Sequence, residues 1–479
     1  MKIYYKLFLL SLIFFFSGCD DLLQEKPRSV ISPEQFFNTD AEAITAVNGV
    51  YSRFSTTFMY QWDFGYWSDL GTDLARPTGG RESTFPFHTY LMSPANLPNT
   101  ANADHWRNLY RTVGDANLVI SRVSDNSKIS EPIRKRVVGE AKFLRAYCYY
   151  WLTCIWGDVP MWLNELNVDE IGGAIERTPV GSVRDQMIID LKESAEGLPV
   201  VYPAAERGRV TKWAAKILLC KYYLWQKDWQ NARDVANDII TNSPHRLQPE
   251  FKDIFGIANE YNPENIWELD FTLTTHPSIK TDRFVPRQID EPVIAGYNFT
   301  GFGLTTSAKE FVDSFHPNDK RKPLYSWNGA NGITTKFWYI TKFIQWNEPR
   351  GNSGLNVLIF RLADAYLMYA EAENQINGPS SSAYARINAI RSRAGVPVLE
   401  NLSKDQFQNA IMNERKWELA FEYHRRWDLI RWGKLEEAVK SLSGTNPEGA
   451  QNIKPHHVLA PIPPEEIIKN PALTQNPGY

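Results

Sequence analysis

The chain is 479 residues long, 43% hydrophobic and 13% aromatic, with a formal net charge of −3. That length can carry a large core and two or three domain-sized units, and a near-balance of charge with no basic stripe gives nucleic acid nothing to bind. The cysteines do not make a disulfide framework: Cys148 and Cys154 fall six apart on a predicted helix with side chains pointing apart, so they and Cys220 are read as small buried residues.

Lys2 and Lys6 give a short positive head, residues 7–16 (LFLLSLIFFF) an apolar run, and Ser17 and Gly18 a small-residue cleavage site before Cys19. This is the layout of a secretory signal, too short for a spanning helix, which needs about 20 apolar residues. It resembles a bacterial lipoprotein signal, with Phe16 standing where Leu is preferred. The resemblance implies removal of residues 1–18 and acylation of Cys19, and several acyl chains on one cysteine would anchor the protein stably. Asp20 and Asp21 resemble the acidic tag that carries lipoproteins to the outer surface of Bacteroidetes-type bacteria. Residues 19–39 then form a tether, and no later run is long and apolar enough to span a bilayer.

Helical periodicity follows in several windows. Residues 40–54 begin at Asp40, an N-cap candidate. Residues 105–123 place Trp106, Tyr110, Val113, Asn117 and Ile120 on one stripe. Residues 133–156 stop at Gly157 and Pro160, and residues 182–197 start at Ser182 with Val183, Met187, Ile188 and Leu191 as the apolar face. In 211–244, small Cys220 is followed by Tyr223, Trp229, Ala232 and Pro244 at the offsets of a tetratricopeptide (TPR) repeat. Small residues let two helices approach, aromatics fill the gap beside them, and proline ends the second. A looser pair spans 359–394, broken at Gly378 and Pro379. Residues 58–104 and 245–356 lose the helical period and fill with Gly, Pro, Asn and Thr, the mark of functional excursions. The expected fold is mainly α: a TPR-like helical-hairpin scaffold, 40–244 and 357–479, with long loop-rich insertions, of which 245–356 is the ligand-binding one.

Five segments carry a family resemblance: GEAKFLRAYCYYWLTCIWGDVPMW (139–162), ERTPVGSVRDQMIIDLKES (176–194), GRVTKWAAKILLCKYYLWQKDWQNA (208–232), NERKWELAFEYHRRWDLIRWGKL (413–435) and LAPIPPEEIIKNPALTQNPGY (459–479). In this order they resemble the SusD/RagB family, from the lipoprotein signal to the last residue. The resemblance implies a surface lipoprotein of the outer membrane, held there through its lipid anchor alone. It would capture a nutrient, usually a glycan, for a SusC-type TonB-dependent outer-membrane barrel, with no catalysis and no cofactor; calcium stays open.

The residues agree with a binding role. In NERKWELAFEYHRRWDLIRW, Glu414, Glu418 and Glu422 form a like-charge row that destabilises a helix unless cations offset it. Arg415, Arg425, Arg426 and Arg431, with Arg391 and Arg393, can do so, which reads as structural salt bridges rather than catalysis. Adjacent His456 and His457 are poorly spaced for a shared metal. No GxSxG, HExxH, P-loop or CxxC motif is present.

A pyranose has an apolar face that suits flat aromatic rings and hydroxyls that suit Asp, Asn and Arg. The first excursion offers Trp62, Tyr66, Trp67, Asp69, Asp73, Arg76 and Arg81; the second offers Arg283, Tyr297, Trp327, Trp338, Tyr339 and Trp346. GTDLARPTGGR resembles the family's threonine-aspartate turn, which implies Asp73 and Arg81 as ligand contacts. Trp67, Tyr297, Trp327 and Trp338 are expected contacts from their chemistry. Three other readings stay open on sequence alone: peptide or glycopeptide capture, a helical-toroid glycoside hydrolase, and a TPR-like scaffold for protein partners.

Overall fold

The computed structural model describes residues 36–55, 60, 64–79, 85–166, 173–346 and 348–479. Cys19, the signal and most of the tether, with Trp62 and Arg81, lie outside the described residues. The first described helix, Asp40–Ser52, is capped by Thr39 rather than Asp40: the Thr39 hydroxyl accepts from the Glu42 N–H, and the Glu42 carboxylate accepts from the Thr39 N–H. Asp40 instead accepts from the backbone N–H and hydroxyl of Ser130, at 2.7 and 2.6 Å, and so fixes the start of a later helix.

Helices Ala103–Val123, Glu131–Trp156, Val180–Gly197, Lys212–Gln226 and Trp229–Asn242 then pack each on the next. Glu131–Trp156 is the central one: every residue from Phe143 to Trp156 is buried, and Gly157, at φ 78°, ends it. The TPR-like pair forms as its residues dictate. Thr211 and Asp228 cap the two helices, Cys220 and Ala232 are fully buried, and the Cys220 thiol reaches the Ala232 carbonyl at 3.3 Å. Enlarging Cys220 to Leu would overpack this contact, at a cost of about 1–3 kcal/mol. Helix Leu362–Asn377 docks on Trp229–Asn242, and Ser381–Ala394 and Lys404–Glu418 pack on Leu362–Asn377. The interrupted scaffold is therefore continuous in space.

The excursions hold strands that the sequence reading did not foresee. These are β1 (Ala75–Pro77), β2 (Asn265–Leu269), β3 (Thr305–Ser307), β4 (Trp327–Ala330), β5 (Ile333–Tyr339) and β6 (Val357–Arg361). β2 pairs antiparallel with β6 where the second excursion leaves and rejoins the scaffold. The other four form one antiparallel sheet in the order β1-β3-β5-β4. β1 comes from the first excursion and the rest from the second, so the two excursions are one structural unit.

The acidic row is buried, as expected of structural ion pairs. Glu414 contacts Arg321 and Arg391 at 2.6 and 2.8 Å; Glu418 contacts Arg321, Arg361 and Arg393 at 2.9, 2.5 and 2.5 Å; Glu422 contacts Arg361 and Lys342 at 2.6 and 2.8 Å. Burial alone would raise the Glu418 carboxyl, but the guanidiniums of Arg393, Arg361 and Arg321 hold it down at about 2. Arg321, Lys342 and Arg361, all buried, come from outside the local segment. Arg321 locks the second excursion to helix Lys404–Glu418 through Glu414 and Glu418, and Arg361, at the end of β6, adds a tie to Glu418 from the scaffold side.

Candidate ligand-binding site

Residues 327–339 contain the site's simplest folding signal. Asn331 and Gly332, at φ 55° and 78°, make a two-residue turn between Ala330 and Ile333, the Asn-Gly turn whose twist suits a hairpin. Gly329, at φ 129°, sits at a register irregularity beside Trp327; a Cβ there would meet the Ile333 carbonyl oxygen at 2.0 Å. This bulge and turn set Trp327 opposite Tyr339 in the pair, with ring centroids 6.2 Å apart.

Tyr297 and Trp346 join Trp327 there. Their ring centroids are 5.1 Å (Tyr297–Trp327), 4.5 Å (Tyr297–Trp346) and 5.1 Å (Trp327–Trp346), all tilted or edge-on. Phe299 backs the group at 6.2 Å from Trp327 and 6.3 Å from Trp346. Tyr297, Trp327 and Trp346 are half-buried, whereas Phe299 and Tyr339 are buried behind them. Flat rings on a buried aromatic base make a rigid apolar surface that costs little side-chain entropy on binding.

Glu291 holds this surface together. One carboxylate oxygen accepts from the Tyr339 hydroxyl at 2.5 Å and the other from the Lys336 N–H at 2.9 Å, tying the loop that carries Tyr297 to β5. Burial, and then the bond to Glu291, raise the Tyr339 phenol. The loop closes on itself through the bridge Arg287–Thr300 and the Gln288 N–H to Phe299 carbonyl bond at 3.2 Å.

The expected residues divide. The structure brings Tyr297 and Trp327 together and adds Trp346. Trp338 is half-buried but projects from the opposite face of β5: it pairs with Ser307, while Tyr339 pairs with Trp327. It does not join the cluster. Trp67 is corrected more strongly: it is 1% exposed, its Nε1–H donates to the Ala101 carbonyl at 2.6 Å, and its ring meets Phe87 edge-on at 4.8 Å. It is core, with no free face for a ligand.

Asp73 is also corrected. Arg425 grips it with two bonds of 2.7 Å, so the carboxylate is spent on an ion pair. Burial would raise its carboxyl, yet Arg425 lowers it below the usual value. Asp69 and Arg283 are likewise structural: Arg283 donates to Asp69 at 3.1 Å, to the Gly65 carbonyl at 2.8 Å and to Thr305 at 3.0 Å. Trp346, seven residues beyond Tyr339, is among the residues the second excursion offers but not among the expected contacts; its place beside Tyr297 and Trp327 shows only in space.

Among the described residues no group of three or more His, Cys, Asp and Glu is placed to hold a metal ion. An apolar basin of about 690 Å³ lies elsewhere, lined by Trp106, Tyr110, Leu118, Trp162, Ile175 and Leu473. Its polar groups are mostly engaged, with Tyr110 bonded to Pro160, Glu165 forked by Arg122 and Asn470 bonded to Ile175. That leaves few partners for sugar hydroxyls, so the aromatic cluster is the better site for a saccharide.

Comparison with known proteins gives the class. The SusD family profile matches residues 318–479, and a profile described as starch-binding associating with outer membrane matches residues 72–224. SusD-like protein P25 of Formosa agariphila is 34% identical, with 100% of both chains covered. SusD-like protein P2 of the same organism is 27% identical over 99% of each. The chain belongs to the SusD family. Among solved structures, a SusD homolog from Bacteroides thetaiotaomicron superimposes with a TM-score of 0.84 at 22% identity, covering 94% of this chain and 99% of that one. A laminarin binding SusD-like protein gives 0.78 at 24% identity, covering 92% and 99%. Surface glycan-binding protein A from Bacteroides uniformis gives 0.79 at 21% identity, covering 91% and 99%. These likenesses establish the SusD fold.

Proposed function

We propose that the protein captures a nutrient glycan at the cell surface and passes it, unbroken, to a SusC-type TonB-dependent outer-membrane barrel, while an acylated Cys19 holds it to the outer membrane. The observation that carries this reading is the half-buried trio Tyr297, Trp327 and Trp346, whose rings match the C–H face of a pyranose. Two structural relatives are described as laminarin binding and as a surface glycan-binding protein, which supports the same ligand class.

A non-catalytic role fits the carboxylates. A glycosidase needs two of them facing one bond. Here Asp69, Asp73, Glu414, Glu418, Glu422 and Asp428 are all engaged by Arg or Lys. Among the described residues no helix is long and apolar enough to cross a membrane; the reading assigns attachment to the lipid on Cys19. The test is calorimetry of the full chain against a panel of oligosaccharides and oligopeptides, with product analysis of each mixture. Micromolar binding of an intact oligosaccharide supports the reading; binding of peptides alone, or cleavage of the glycan, overturns it.

A further inference from the structure

Strand register puts a cation at one end of the aromatic surface. Arg76 on β1 pairs with Thr306 on β3, and the neighbouring pairs Ala75–Ser307 and Ser307–Trp338 belong to the opposite face. Alternation therefore places Arg76, Phe337, Tyr339 and Trp327 on one face of the sheet. The contacts run along it in steps: Trp327 to Tyr339 at 6.2 Å, Tyr339 to Phe337 at 6.3 Å, and Phe337 to the Arg76 guanidinium at 5.5 Å. Lys336 alternates to the Trp338 face, yet its long side chain brings the ammonium to 5.3 Å from the same Phe337 ring. Tyr339 and Phe337 are buried, so they form the base that links the half-buried trio to the two cations.

The charges nearby make Arg76 unusual. Arg283 is bonded to Asp69, Arg287 to Asp290, and Lys309 on the other face to Asp313. Glu291, the buried acid of this region, already accepts from Tyr339 and Lys336. Among the described residues neither the half-buried Arg76 guanidinium nor the exposed Lys336 ammonium has a carboxylate partner. The Phe337 ring offsets only part of the cost of keeping Arg76 out of water. A planar guanidinium with no carboxylate partner among the described residues suits a sulfate or a carboxylate, which it can grip with two bonds.

We propose that the glycan bound here carries an anionic group, a sulfate ester or a uronate carboxylate, which Arg76 and Lys336 receive at the Phe337 end of the aromatic surface. This rests on the glycan-capture reading above and narrows its ligand class.

The experiment is calorimetry of the full chain with three probes: a neutral laminari-oligosaccharide, an oligogalacturonate and a carrageenan oligosaccharide. Each is run on the wild type and on Arg76→Gln, Lys336→Gln and Trp327→Ala, at low and high salt, after thermal melts confirm folding. Exposed Lys336 keeps the test open should Arg76→Gln misfold. At least one charged probe is expected to bind tighter than the neutral one, to weaken with salt, and to lose about tenfold in affinity in Arg76→Gln. Preference for the carrageenan fragment identifies sulfate, and preference for the galacturonate a carboxylate. Failure of both charged probes to bind, or binding indifferent to salt and to both cation variants, overturns the proposal. Loss of binding in Trp327→Ala alongside that indifference leaves glycan capture standing, whereas full binding by Trp327→Ala brings down capture at this site itself.

Discussion

Asp73 and Arg425, 352 residues apart in the chain, meet in a two-bond fork with both contacts at 2.7 Å. The pair ties the turn of the first excursion to the helix Arg425–Arg431. Breaking a buried ion pair from one side leaves a stranded charge and costs about 3–5 kcal/mol; the slight exposure of this pair puts the expected value at the low end. Asp73→Ala is therefore expected to lower thermal stability sharply while the folded fraction binds ligand as before. A melt unchanged by Asp73→Ala, with affinity lost, would return Asp73 to the binding site.

Trp327 and Trp338 make an internal control, because they lie on adjoining strands of one sheet and project to opposite faces. Trp327→Ala is expected to weaken glycan binding by about 1–3 kcal/mol, the scale of flat rings stacked on aromatics. Trp338→Ala is expected to leave affinity within a factor of two. Equal losses from both variants would mean that the face assignment is wrong.

Glu291 acts through Tyr339 and the β5 backbone rather than on the ligand. Glu291→Ala unpins the Tyr297 loop from β5, and about tenfold weaker binding with a faster dissociation rate is expected. Glu291→Gln keeps an acceptor for one of the two bonds and should recover part of the loss. No recovery by Gln would argue for a direct charge contact between Glu291 and the ligand.

The buried acids set the response to pH. Glu418 and Asp428 ionise ordinarily near 4.5 and 3.8; burial would raise both, but their arginines hold each at about 2. A carboxyl held low in the fold stabilises it above the ordinary value and loses that contribution as pH falls through the folded value. The melting temperature is expected to drop steeply between pH 4.5 and pH 2. Glu260 runs the other way: burial, with the charges of Glu268, Asp270 and Glu348, raises it to about 7. The fold favours its protonated form, so stability is lost as pH rises from about 4.5 to 7. Glu260→Gln should raise the melting temperature more at pH 8 than at pH 5, and equal shifts at the two pH values would refute the assignment.

Some of this was legible in the sequence because it was local. The helical scaffold follows from a 3.6-residue period, and the TPR-like pair from small residues at Cys220 and Ala232 where helices must touch. The glutamate row signalled ion pairs, and Arg391 and Arg393 are indeed among its partners. What it hid was long-range. β1 is three residues long and gains its meaning from Thr305–Ser307, some 230 positions away. Arg321 and Arg361 reach the glutamates across 93 and 57 positions.

Aromatic content alone says nothing of burial, so buried Trp67 and half-buried Trp327 read alike until packed. One local signal was present and unused: Asn331-Gly332 between apolar runs marks a hairpin. By itself that turn sets Trp327 opposite Lys336; the irregularity at Gly329, which the sequence does not announce, moves Trp327 to Tyr339.

The central claim is that Tyr297, Trp327 and Trp346 grip a sugar chain that the protein does not break. The most direct check is tryptophan fluorescence of the full chain titrated with a binding oligosaccharide, run beside Trp327→Phe and Trp346→Phe, with mass analysis of the sugar afterwards. The account expects a saturable spectral change that shrinks in both variants and an oligosaccharide recovered at its starting mass. A saturable change that persists undiminished when both tryptophans are replaced, or recovery of shortened sugar, would contradict it.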